Sequence, residues 1–153
     1  MCLLRSMRVS RVWVPLLLAG AIALQPLTAL PASAVTRRER TLFHLVNRSR
    51  VKHGQARLRL SASVSRLARR HSVRMARLGT LFHQCMSCVL NHHRWRRIGE
   101  NIGYAGSARV MNRWFMHSPP HRENMLCGCF TRVGIGIVRW GGKLWVTEDF
   151  YRP

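Results

Sequence analysis

Four cysteines in the second half of the chain are the first residues whose type and spacing imply chemistry. Cys85 and Cys88 form a C-x-x-C pair, and Cys127 and Cys129 form a C-x-C pair. An even set of thiols outside the cell is expected to oxidise to disulfides. At least one bridge joining the two segments is the expected arrangement. A long closed loop removes more unfolded-state entropy than a tight local ring, about 3–4 kcal/mol for tens of residues. The alternative is a zinc site built on the two pairs, with ligands from nearby His92 or His93.

Acidic residues are scarce: five against 26 Lys+Arg, a formal charge of +21. Five scattered carboxylates exclude a calcium-type cage. No phosphate loop or dinucleotide fingerprint is present. Arginine supplies nearly all of the positive charge; only Lys52 and Lys143 are lysine. Such a balance attracts polyanions. No recognised nucleic-acid-binding motif accompanies it, so specific nucleic-acid binding is not expected and anionic envelope polymers are the nearer partner.

The elements that must hold these residues follow from the pattern along the chain. Arg5, Arg8 and Arg11 precede an apolar run from Val12 to Leu24, and Ala32-Ser33-Ala34 follows. That order reads as a secretory signal over residues 1–34, too short and too proline-interrupted for a membrane span. The domain is then 35–153, a secreted, extracellular monomer carrying +18 once three arginines are removed from +21. Arg37 to His53 has helical spacing with Gly54 after it, and Ser61 caps a second helix to about Leu78, closed by Gly79. One face of that second helix is apolar and the other carries Arg66, Arg70, Arg74 and Arg77. Residues 80–97 read as a loop. Ala108 to Met116 is a third helix, and Ser118-Pro119-Pro120 starts a short fourth turn through Met125. Val133, Ile135 and Ile137 alternate with Gly134 and Gly136, a strand whose bare face admits another backbone. Gly141-Gly142 turns it into a return strand with Leu144, Val146, Glu148 and Phe150 on one face.

Residues 41–150 resemble the CAP superfamily of cysteine-rich secretory, antigen 5 and pathogenesis-related proteins, in particular its bacterial secreted branch. The resemblance is carried by Asn47-x-x-Arg50, Ala68-x-x-His71-Ser72-x-x-Met75-Ala76, Gly79-x-x-x-His83 and Gly99-Glu100-Asn101-Ile102. It continues through Trp114-x-x-x-Ser118-Pro119-x-His121-Arg122-x-Asn124, Val133-Gly134-x-Gly136 and Trp145-x-Thr147-x-x-Phe150.

The resemblance implies an α+β fold, a three-layer α-β-α sandwich with helices first and a C-terminal β-hairpin. It also implies a central groove lined by two histidines and acidic residues. Carried over residue by residue, these are His83, Glu100 and His121. The position where many members hold a second glutamate is His117 here, and Glu148 is the candidate replacement carboxylate. Ser118 lies beside His121 in the same groove. Glu100 is expected to bond one imidazole, and His83 and His121 to offer an open, weak site for zinc or another divalent metal. His71, on the buried stripe, is expected to be a satisfied core residue. Trp95, Trp114 and Trp145 are expected in the core or groove wall. The implied function is extracellular binding of a lipid- or sterol-like or envelope ligand, rather than catalysis. The alternatives are a metal-dependent hydrolase or protease, or a cationic envelope-binding or antimicrobial protein with an idle groove.

Overall fold

The structure is a computed structural model that describes residues 34–91 and 94–153. The signal assigned to residues 1–34 lies outside the described residues except for Ala34, as do His92 and His93. The element order is α1 (Arg37–Lys52), β1 (Arg59–Leu60), α2 (Ala62–Leu78), α3 (Met86–Val89), β2 (Arg97–Ala105), α4 (Ala108–His117), α5 (Pro119–Leu126), β3 (Arg132–Trp140) and β4 (Lys143–Arg152).

The helices start where side chains can satisfy the free N–H groups of a first turn. Thr36 and Glu39 form a reciprocal capping box on α1. Ser61 accepts from the Val64 N–H on α2, and Ser107 accepts from the Val110 N–H on α4. Gly79 ends α2 in the left-handed conformation that costs other residues energy. Pro119 and Pro120 fill the first positions of α5, where an N–H has no helical partner anyway.

The four strands form one sheet in the order β1-β3-β4-β2, with β1 parallel to β3 and the rest antiparallel. Strand alternation sorts the core into two layers. Val133, Ile135, Ile137, Leu144, Val146 and Phe150 face Leu42 and Val46 of α1, Met111 and Phe115 of α4, and Met125 of α5. On the other face Ile102 and Trp145 pack on Met75 and Ala76 of α2, and Tyr151 on Val64. The result is helices on both sides of one sheet, the three-layer α+β arrangement.

The bare face of β3 is where α2 lies. A methyl added at Gly136 would overlap the backbone of Ala68 and Arg69, and one at Gly134 would sit 2.6 Å from the Val64 carbonyl carbon. Because β1 is only two residues long, most of the outer edge of β3 would carry unpaired backbone groups. Helix side chains satisfy it instead: Ser65 Oγ accepts the Ile135 N–H at 3.0 Å, and Glu39 accepts the Ile137 N–H at 3.2 Å. Glu39 is wholly buried and also takes two hydrogen bonds from Arg69, tying α1 to α2.

Two expectations fail. Within the span 80–97 read as a loop, Met86–Val89 is a single helical turn and Arg97 already begins the strand Arg97–Ala105. The disulfides are Cys85–Cys88 and Cys127–Cys129, with no bridge between the segments. The physical reason is the sheet: Cys88 lies beside α2, whereas Cys127 and Cys129 pack on the α1–α4–α5 layer. Both pairs being oxidised also removes the thiolates that the zinc alternative needed.

Candidate functional site

The site forms along β2, the free edge of the sheet opposite β1. Glu100 is buried on the α2 face of β2. Its Oε1 accepts Nδ1–H of His83 at 2.6 Å and the Gln84 backbone N–H at 3.2 Å. In the neutral ring, donating through Nδ1 places the lone pair on Nε2, and the ring is 64% exposed. His71 supports the loop from beneath, donating its Nε2–H to the Phe82 carbonyl at 2.7 Å. It is buried as expected, and burial pulls its imidazole below the ordinary value, so it stays neutral. Opposite Glu100 on β4 stands Asp149, held by the Gln84 side-chain amide at 3.1 Å to both carboxyl oxygens. Burial, then the neighbouring Glu100 charge, push the Asp149 carboxyl well up.

His121 comes to the same edge from the other layer, on α5. Its Nδ1 is 2.8 Å from Oγ of Ser118, and its ring packs against Phe115 with centroids 4.8 Å apart. Burial, and secondarily the charge of His83, lower its imidazole.

Beside His121 runs a groove of about 360 Å³ with a mostly apolar wall: Leu81, Ile102, Tyr104, Met111, Trp114 and Phe115, with Ser118 and His121 also lining it. Trp114 is 53% exposed, a large apolar surface facing water. Trp145 is core, and Trp95 is exposed elsewhere.

A second polar chain locks α5 onto β2. Asn101 is wholly buried; its amide donates to the His121 carbonyl and to Glu148 Oε2, both at 3.1 Å. Asn124 donates to Asn101 Oδ1 at 3.0 Å and to the Glu100 carbonyl at 3.2 Å. Backbone and imidazole of His121 are thus positioned by Asn101, Asn124 and Ser118 together.

The sequence profile of the cysteine-rich secretory protein family, CAP, matches residues 43–150. The chain belongs to the CAP family. An uncharacterized protein of Bacillus subtilis, YkwD, is 30% identical over 135 residues, 80% of this chain and 50% of that protein. An extracellular protein with an SCP domain from Bacillus anthracis superposes with a TM-score of 0.69 at 22% identity, covering 76% of this chain and 40% of that one. A cysteine-rich secretory protein from Staphylococcus aureus gives 0.67 at 19% identity, covering 76% and 38%. The chain spans about half the length, or less, of these relatives, and the two structures are alike in fold. Among the described residues, no helix is long and apolar enough to cross a membrane.

Within this CAP domain, His83 and Glu100 meet directly, and His121 with Ser118 lines the adjacent groove. Glu148 does not line it. It is fully buried on the sheet face that α1, α4 and α5 cover, bonded to Asn101 and not exposed to the groove. His117 lies in a separate cleft with Arg113 and Arg122. Gln84, Asn101, Asn124 and Asp149 were missed as functional residues. Asn101 and Asn124 stood inside the quoted motifs, and their type, buried amides, was the signal for a positioning role.

Burial raises the Glu148 carboxyl to about 8, although the Asn101 bond pulls the other way. The folded state therefore holds a proton that the unfolded chain has released. Stability from this group is present below the ordinary carboxylate value and is lost as pH rises toward 8. Asp149 acts in the same sense. Above pH about 6.5 the histidines, with His71 and His121 lowered, no longer oppose it. Denaturant unfolding at pH 6.5, 7.2 and 8 should show falling stability, and Glu148→Gln should remove about 1.4 kcal/mol per pH unit of that fall. An unchanged slope in the variant would refute the assignment.

Proposed function

We propose that this is a secreted binding protein that takes an amphipathic, lipid-like ligand in the groove along β2. The observation that carries this is the mainly apolar wall, with exposed Trp114, Tyr104 and Leu81, ending at the Ser118–His121 pair. An acyl or sterol-like body would lie on those side chains, and its polar end would meet His121 and, across the edge, His83. Two imidazoles with a buried carboxylate behind one of them also suit a weakly held zinc or similar divalent ion. Glu100 would fix the His83 tautomer and raise its basicity. When bound, such an ion supplies a positive charge for a ligand's oxygen. Among the described residues no third protein ligand joins them, so the ion would be open to solvent or ligand, and its removal should leave the fold intact. Hydrolysis is the second reading, favoured by one feature: Glu100 holds Nδ1 of His83, so the exposed Nε2 is the ring nitrogen turned toward solvent.

Native mass spectrometry of secreted protein, with and without chelator, tests metal and lipid together. Titration with a sixteen-carbon fatty acid should change the emission of Trp114, and Trp114→Ala should weaken binding at least tenfold. Zinc binding by calorimetry should vanish in His83→Ala or His121→Ala, and Glu100→Gln should cost about 10–100-fold. Full lipid affinity in Trp114→Ala would overturn the groove assignment; zinc affinity unchanged in both histidine variants would overturn the metal.

A further inference from the structure

We propose that the cleft between the C-terminal ends of α1 and α4 is a second binding site, for a phosphodiester-linked polyol polymer. The cleft has a volume of about 600 Å³ and draws Lys52 and His53 from α1 and its cap, Arg113 and His117 from α4, and Arg122 from α5. No carboxylate lines it. Lys52, Arg113 and Arg122 make no ion pair among the described residues, in contrast to Arg69, which is bonded to Glu39.

Overall charge does not explain this convergence. Four of the five acids, Glu39, Glu100, Glu148 and Asp149, are buried, so positive charge covers the surface widely. What distinguishes the cleft from the neighbouring hollow of His44, Arg48, Lys52 and Arg57 is its joint construction from three helices, whose concave walls concentrate the field. Helix dipoles favour Lys52, His53 and His117, which stand at the negative ends of α1 and α4. They do not favour Arg122, in the first half of α5, where a cation is opposed by the dipole. An outside anion accounts for it.

Two neutral groups narrow the ligand. Asn112 donates to Ser49 Oγ at 3.2 Å, while its Oδ1 is buried without a hydrogen-bond partner. The Ser49 hydroxyl hydrogen is available to a phosphate oxygen, and the amide acceptor needs a donor such as a ligand hydroxyl. An anion that also carries hydroxyls meets both demands, and the arginine forks suit phosphate oxygens. The cleft offers no Phe, Tyr or Trp ring for stacking a base, so a nucleic acid fits it less well.

The test uses the full secreted chain and a short poly(glycerol phosphate) as probe, with a polyuronate and oligothymidylate of equal charge alongside. The variant K52Q/R113Q/R122Q removes three charges from the cleft; R66Q/R70Q/R77Q removes three from the outer face of α2. The cleft variant should bind the probe at least 30-fold more weakly and flatten its salt dependence, with the control changing less than about threefold. Circular dichroism melts show whether both fold, and K52Q/R113Q, at two exposed positions, replaces the triple variant if Arg122 proves structural. Trp114→Ala and His121→Ala should leave polymer binding unchanged, which separates this site from the groove. Equal losses in the two charge variants, or equal binding of polyuronate or oligothymidylate, would overturn the proposal.

Discussion

Gly136→Ala should unfold this domain or lower its stability by about 3 kcal/mol or more, the largest effect expected of any single methyl in the chain. The added carbon would overlap the backbone of Ala68 and Arg69. A side-chain clash can relax by a rotamer change, but a backbone clash requires the whole of α2 to withdraw. That withdrawal would open the layer where Met75 and Ala76 pack on Ile102 and Trp145. It would also break the Ser72 hydroxyl's bonds to the Gly136 carbonyl (3.0 Å) and to Thr147 Oγ1 (2.9 Å). His71 would move with the helix and release the Phe82 carbonyl that steadies the His83 loop. The variant should thus weaken the proposed zinc binding as well as stability. Gly106→Ala is the control: a carbon there meets nothing within 4 Å, and it should be neutral or slightly stabilising. Guanidinium unfolding of both variants decides the matter, with a melting shift of about 10 °C or more for Gly136→Ala. Equal stability of the two would refute the close-packing argument.

The same pair of glycines shows which parts of the fold were legible. Gly134 and Gly136 announced a strand with one bare face because alternation with Val133, Ile135 and Ile137 is a local signal. Ser61 and Gly79 marked helix ends for the same reason: capping is decided within a few residues. β2 was not legible. Its Gly99-Glu100-Asn101 run has weak strand propensity, and polar side chains occupy both of its faces. Glu100 turns to α2 and Asn101 to α5, so period-two hydrophobicity is absent where the site is built. The His83–Glu100 contact came from family resemblance alone, since a sequence separation of 17 carries no local hint of it. Glu148 shared its strand face with apolar residues, but nothing local showed that Asn101 would meet it and that it would stay out of the groove. The disulfides turned on the side of the sheet each segment occupies, which loop-entropy reasoning does not address.

Arg50 supplies the second large effect. It is buried, with 1% of its surface exposed, yet no carboxylate pairs with it among the described residues. Its guanidinium donates instead to three carbonyls: Ala56 at 2.7 Å, Met125 at 2.7 Å and Cys127 at 3.0 Å. Two of these belong to the end of α5 and its cap, where the helix dipole places partial negative charge, and Arg50 itself lies in the last turn of α1. One planar fork thus joins α1, the loop before β1 and α5. Burial pulls its pKa down, but the carbonyls keep the cation satisfied. Arg50→Met would keep much of the volume and leave three acceptors without donors, each costing about 1–3 kcal/mol when water cannot reach it. A loss of roughly 3–5 kcal/mol in denaturant unfolding is expected. Arg50→Lys should recover only part of it, because an ammonium lacks the fork that spans three separated oxygens. Since α5 carries His121, Arg50→Lys should also loosen the proposed zinc and lipid binding under conditions where the domain remains folded. If Arg50→Met proves as stable as the parent protein, water has replaced the guanidinium, and the junction is not what holds α5 in place.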